Sequence, residues 1–150
     1  MAKDHFILPT VPDHAAVAVR LGAGNTEAQR MDYRDVGKLV KLAGESRFDL
    51  AVANDEIEGF IYAIELAPQN GFTIGSVLQR GRAFVTFGAL MVIGDYAVAG
   101  DITAKGTELA GYPKVNKAAS PAALTHKWRV VSLGAAGTGA VGTTGVVERV

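Results

Sequence analysis

The stretch "GTGAVG" at residues 137–142, set between "WRVVSLGAA" (128–136) and "TTGVVERV" (143–150), decides between two fold classes. Read as G-x-G-x-x-G after a strand, it spells a dinucleotide-binding fingerprint and calls for an α/β fold. That chemistry needs the third glycine at the start of a helix, because the pyrophosphate rests on the helix N-terminus. It also needs an acidic residue about 20 positions further on, for the ribose. Only "TTGVVERV" follows Gly142, and its Gly145 and paired valines make a poor helix with no room for the acidic partner. The stretch therefore reads as a hairpin connection whose glycines supply backbone freedom.

With the fingerprint set aside, the flanking segments read as strands, and so do those further upstream. "HKWRVVSLG" and "GVVERV" close the chain as two of them. "GFIYAIEL" (59–66) is β-branched and aromatic, "APQNG" is a turn, and "FTIGSVLQRGRAFVTFG" gives two strands around Gly75 and Gly81. "LMVIGDYAVAGD" reads as another pair joined at Gly94–Asp95, and "FDLAV" as a further strand. Residues 15–21 form a strand. A strand over Gly37–Leu42 is preferred to a short helix over Asp32–Leu42, since glycines bound it. The segment 100–125 is polar and small, carries Pro113 and Pro121, and reads as a long surface excursion. The sum is about eight to ten short strands with no strong amphipathic helix. Without helices for crossovers, the pairing is expected to be antiparallel. The expected fold is all-β: an antiparallel β-barrel or jelly-roll-like sandwich, with an extended N-terminal arm over residues 1–15, a single β-domain over 16–150, and long loops.

Composition narrows the function classes. The 150 residues suit one domain and contain no cysteine, hence no disulfide framework, thiol nucleophile or cysteine zinc site. Fifteen Lys+Arg balance fifteen Asp+Glu, whereas a protein living on phosphate contacts carries a basic excess, so nucleic acid is not expected as a partner. No apolar stretch reaches the length of about 20 residues that spans a bilayer as a helix, and the N-terminus lacks the long apolar core of a signal peptide. A membrane partner is not expected either, and synthesis in the cytoplasm is.

The remaining motifs point to contacts rather than to chemistry. His5, His14 and His126 lie far apart, with no HxH or HExxH spacing. None of the serines sits in G-x-S-x-G. Asp55, Glu56 and Glu58 in "ANDEIEG" could hold Ca²⁺ with Asn54, but the EF-hand pattern is absent and a solvated acidic turn is the better reading. We expect no catalytic residue, no cofactor and no metal, and hence no enzyme. Arg80 and Arg82, taken as same-side neighbours on a strand, are interface candidates, because arginine is enriched at protein interfaces. Phe6, Ile7 and Leu8 form an apolar trio in the arm, and Tyr112 is a further candidate. Trp128 is expected in the core, its indole N–H on a carbonyl.

Two segments, "NGFTIGSVLQRGRAFVTFGALMVIGDYAVAGD" and "PKVNKAA…HKWRVVSLGAAGTGAVGTTGVVERV", carry a family likeness over roughly residues 55–150. The strand "GRAFVTF", the "GDYAVAGD" turn and the late "KWRVVSLG" strand with its glycine-rich loop resemble the head decoration, or cement, proteins of tailed bacteriophages. The resemblance implies a β-barrel or jelly-roll-like protein on the capsid exterior of a virion. It would bind the major capsid protein, associate with itself as a dimer or trimer, and bridge capsomers without catalysis. A tail or head-completion protein, or a small ligand-binding barrel, are the alternatives.

Overall fold

The computed structural model describes residues 15–22, 30–44, 47–65 and 73–150. The arm lies outside them except for Ala15, so Phe6, Ile7 and Leu8 are not described. Ten strands follow in order: β1 (Ala15–Leu21), β2 (Leu39–Gly44), β3 (Arg47–Leu50), β4 (Gly59–Ile64), β5 (Thr73–Arg80), β6 (Arg82–Phe87), β7 (Tyr96–Ala99), β8 (Lys114–Lys117), β9 (Trp128–Ser132) and β10 (Thr144–Arg149). The only helical pieces among the described residues are single 3-10 turns at Tyr33–Asp35 and Pro121–Ala123. The all-β fold is as expected.

The strands close into two barrels rather than one. The first runs β1-β3-β2-β4-β5 and back to β1; the second runs β10-β6-β8-β7-β9 and back to β10. Each ring contains one parallel pair, β1 with β3 and β6 with β8, against the antiparallel expectation. Ring closure makes this unavoidable. Directions cannot alternate all the way round five strands, so one neighbouring pair must run the same way. The cost is small, because each parallel ladder covers only two residue pairs.

The two barrels are built on one plan. Replacing β1, β2, β3, β4 and β5 by β6, β7, β8, β9 and β10 reproduces every pairing of the first barrel in the second. The correspondence holds residue by residue. Leu21 pairs with Phe48 as Phe87 does with Val115, and Val40 with Leu50 as Ala97 does with Lys117. Ile61 pairs with Val77 as Val130 does with Val147, with a register shift at the next step in both. The turn bonds repeat too. Gly37 N–H donates to the Ile61 carbonyl and Gly94 N–H to that of Val130, from backbones at φ +93° and +92°. Gly75 and Gly145 also correspond. A Cβ at Gly75 would lie 2.4 Å from the Ala63 oxygen and 2.6 Å from Leu21 Cδ1. At Gly145 it would lie 2.1 Å from Phe87 Cζ and 2.7 Å from the Ser132 oxygen.

The barrels differ in their connections. Residues 22–38 join β1 to β2, whereas the shorter 88–95 joins β6 to β7; a two-residue hairpin joins β2 to β3, whereas 100–113 joins β7 to β8. Two sequence expectations change accordingly. "LMVIG" is a loop and only Tyr96–Ala99 is a strand, while the excursion 100–125 contains β8.

One apolar cluster runs through both barrels, from Leu21, Val40, Phe60 and Val77 to Val85, Phe87, Trp128 and Val147. Alternation places these side chains: in β6, Ala83, Val85 and Phe87 are buried while Arg82, Phe84 and Thr86 are half-exposed. The barrels meet where Trp128 packs edge-on against Phe60, ring centroids 4.9 Å apart. The Trp128 indole N–H donates to the Ile57 carbonyl at 3.2 Å, so this buried ring lies in the core with its donor satisfied.

Candidate interaction surface

Among the described residues, two clusters of polar side chains join one barrel to the other. At the seam, Glu58 precedes β4 and His126 precedes β9; their side chains meet at 3.0 Å. Glu56 accepts the His126 backbone N–H at 2.7 Å. Arg149, at the end of β10, lies over the Trp128 ring, contacts His126 Nδ1 and donates to the Gln79 and Glu58 carbonyls. Burial lowers the Arg149 pKa, and Glu58 and Glu56 work against that shift. The segments that meet here are equivalent in the two barrels: 56–60 with Gln79 on one side, 126–129 with Arg149 on the other.

The second cluster ties the 100–113 connection of the second barrel to the 3-10 turn of the first. Asp35 is fully buried and pairs with Lys38, also buried, at 2.6 Å. Its carboxylate also accepts the N–H groups of Gly106 at 2.8 Å and Asp32 at 3.1 Å, and Lys38 donates to the Ala104 carbonyl at 2.8 Å. A buried ion pair needs such extra partners, since desolvating the two charges otherwise outweighs their attraction.

The "ANDEIEG" carboxylates are engaged rather than loose in solvent. Asp55 pairs with Lys41 at 2.8 Å and accepts the Val52 N–H, while Glu56 and Glu58 hold the seam. Among the described residues no group of three His, Cys, Asp or Glu is placed to hold a metal ion. An apolar cleft lined by Leu39, Leu50, Ile102, Leu109 and Pro113 has a volume of about 20 Å³, room for a single water. A wider polar cleft is lined by Arg30, Asp32, Arg34 and Lys105, with Arg34 held by Asp32. The 137–142 loop is followed by β10, not by a helix, and Gly137, Gly139 and Gly142 all have positive φ.

The outward-facing groups are arginines, aliphatics and loops. Arg80 ends β5 and is exposed. Arg82 begins β6 beyond the turn at Gly81 (φ +103°), so the two do not share a strand as expected; Arg82 pairs with Glu148 at 3.3 Å. Tyr112 stacks on Phe84 at 5.1 Å, and its carbonyl accepts the Thr86 hydroxyl. Leu90, Val92, Ile93, Ile102 and Val141 are all exposed aliphatics of the second barrel. Sequence reasoning missed Asp35, Lys38 and Arg149, and it met Glu58 and His126 only as part of a solvated acidic turn and as an isolated histidine. Only the i, i+3 spacing of Asp35 and Lys38 offered a local signal.

No family model, curated protein or solved structure matches this chain.

Proposed function

We propose that this chain is a non-enzymatic structural protein of a tailed-bacteriophage head, a decoration protein that binds the major capsid protein on the capsid exterior and bridges its subunits. The observation that carries this reading is the 100–113 connection. The equivalent place in the first barrel is a two-residue hairpin, so barrel closure does not require this insertion. It is nevertheless anchored through the buried Asp35–Lys38 pair, while Asp101, Ile102, Thr107 and Glu108 face outward. A loop held rigid at its base loses little entropy on docking, which suits a protein contact. The resemblance of residues 55–150 to cement proteins supports the same reading, as does the internal use of the seam and clasp side chains. Weak contacts of this kind add up over a symmetric lattice, because one engagement raises the effective concentration for the next. Preferential binding to the mature shell would stabilise it by linkage.

The test is to mix the purified protein with expanded shells that lack decoration and to separate them by size with light scattering. Saturable co-elution at a simple ratio to the major capsid protein is expected, reduced by Ile102→Asp. No association would overturn the assignment.

A further inference from the structure

The two barrels treat one equivalent strand edge differently. In β2 and β7, Val40 stands where Ala97 does and Leu42 where Ala99 does. On one side each strand pairs over two residues only, Leu39–Val40 with Phe60 and Gly59, and Tyr96–Ala97 with Arg129 and Trp128. Beyond these short ladders a gap opens. Alternation fixes which backbone groups face it. The Leu39 carbonyl accepts the Ala51 N–H on the β3 side, and the Val40 carbonyl accepts the Glu58 N–H on the β4 side. Leu42, two residues past Val40, therefore turns its N–H and carbonyl to the β4 side, into the gap.

In the second barrel the gap is filled by main chain. The Ala99 N–H donates to the Asp55 carbonyl at 2.9 Å, and the Ala99 carbonyl accepts the Asn54 N–H at 2.7 Å. Asn54–Asp55 of the first barrel thus acts as a short added strand, and Ala99 is 0% exposed. In the first barrel the gap is open. Among the described residues nothing bonds to the Leu42 N–H or carbonyl, and Leu42 is 59% exposed. The loop of the second barrel does not return the contact. Pro121, three residues past Ala118 as Asn54 is three past Ala51, has no N–H to donate.

We propose that the Leu42 edge of β2 accepts an extended segment of a capsid subunit, which adds to the first barrel as Asn54–Asp55 adds to the second. The inference rests on the decoration reading and names the surface that reading uses. An unpaired donor and acceptor on a strand edge are a template for another chain. The occupant is main chain, because main chain fills the equivalent edge. Its two hydrogen bonds hold it, and the exposed Leu42 side chain gives its neighbouring residue an apolar contact. Lys41, the charge placed to guard this edge, is held by Asp55 at 2.8 Å. The register shift between Leu42 and Gly44 keeps the opening short, so the site takes a brief segment rather than seeding a long ladder.

Amide exchange read by mass spectrometry, on the full chain free and bound to expanded undecorated shells, tests this. The Leu42 amide is expected to exchange at least about tenfold more slowly on the shell. Leu42→Pro removes that N–H without taking a bond from the barrel, so its melting temperature should stay within about 4 °C of wild type. Its shell affinity should fall at least about tenfold, because a carbonyl of the added segment is left unpaired. Should the proline variant fold poorly, the exchange of the wild type decides. Shell binding without slowing at Leu42, or Leu42→Pro folded and binding as tightly as wild type, would overturn this inference and leave the decoration reading standing. Slow exchange at Leu42 already in the free chain would overturn it by placing another occupant there, a second copy included. No shell binding at all would overturn both.

Discussion

Val36 and Ile93 occupy the same place in two copies of one barrel, yet one is sealed in the core and the other stands in solvent. The difference does not come from the strands, whose pairings correspond throughout. It comes from a connection that is long in the first barrel and short in the second, and from the reverse exchange one connection later. Closure of a five-stranded ring needs only alternating apolar residues and a few tight glycines. What happens at the ends is left to the loops, and that is where the two copies diverge. In the first barrel the connection carries Met31 and Val36 into the core; in the second the added length lies in the anchored 100–113 excursion.

The sharpest way to break the comparison is to place the same charge at both positions. Val36→Asp should prevent folding or cost several kcal/mol, since a buried carboxylate without partners cannot be tolerated. Ile93→Asp should stay within about 0.5 kcal/mol of wild type in urea unfolding at a concentration where the chain is monomeric. Equal effects would mean that the two ends are not differently covered.

The clasp comes next. Asp35→Ala should cost about 3–5 kcal/mol, because Lys38 is then left buried without its carboxylate and Gly106 without its acceptor. Replacing both charges, Asp35→Leu with Lys38→Met, should recover part of that loss. Equilibrium unfolding measures both. A negligible effect of Asp35→Ala would detach the 100–113 excursion from the first barrel and remove the main support for a rigid docking loop.

The glycine pair tests how alike the barrels are inside. Gly75→Ala and Gly145→Ala should each destabilise by about 1–3 kcal/mol through forced contacts. The second should be the worse, since the Phe87 ring has fewer ways to yield than the Leu21 methyl. Thermal melts of the two variants decide the order, and the reverse order would argue that backbone crowding at the Ala63 oxygen dominates.

Much of the fold was readable where strands alternate between glycines: β4, β5, β6, β9 and β10 have β-branched and aromatic residues at the right spacing. "LMVIG" carried the same composition but became a loop, because composition cannot tell an apolar strand from an apolar loop. β8 was hidden because it is four residues long, and Val115 is its only buried side chain. The duplication was not read because equivalent positions share little identity: Val19 with Val85, Gly22 with Gly88, Gly37 with Gly94, Ala51 with Ala118, Gly75 with Gly145 and Val77 with Val147. What the copies keep is pairing geometry, which a ring can satisfy with many side chains. The seam and clasp were illegible because each joins residues distant in sequence, Glu58 with His126 and Asp35 with Gly106.

The smallest effect concerns a turn present on both barrels. Asp55 accepts the Val52 N–H at 2.9 Å and Asp95 the Val92 N–H at 3.0 Å, and each carboxylate pairs with a lysine, Lys41 or Lys117. Burial works against the ionised form of both aspartates, but the lysine and backbone hydrogen bonds outweigh it, so both pKa values lie below the ordinary carboxylate value. A carboxylate whose folded pKa is depressed adds stability above its unfolded pKa of about 3.9 and loses it as the pH falls through the folded value. The melting temperature should therefore hold near neutral pH and decline below about pH 4. Asp95→Asn keeps an acceptor for the Val92 N–H but cannot ionise, so it should lower the neutral-pH melting temperature slightly and flatten the acid decline. Asp55→Asn should do the same on the other barrel, and the two changes should add, since the sites share no partner. An acid slope unchanged in the double variant would move the pH sensitivity away from these turns.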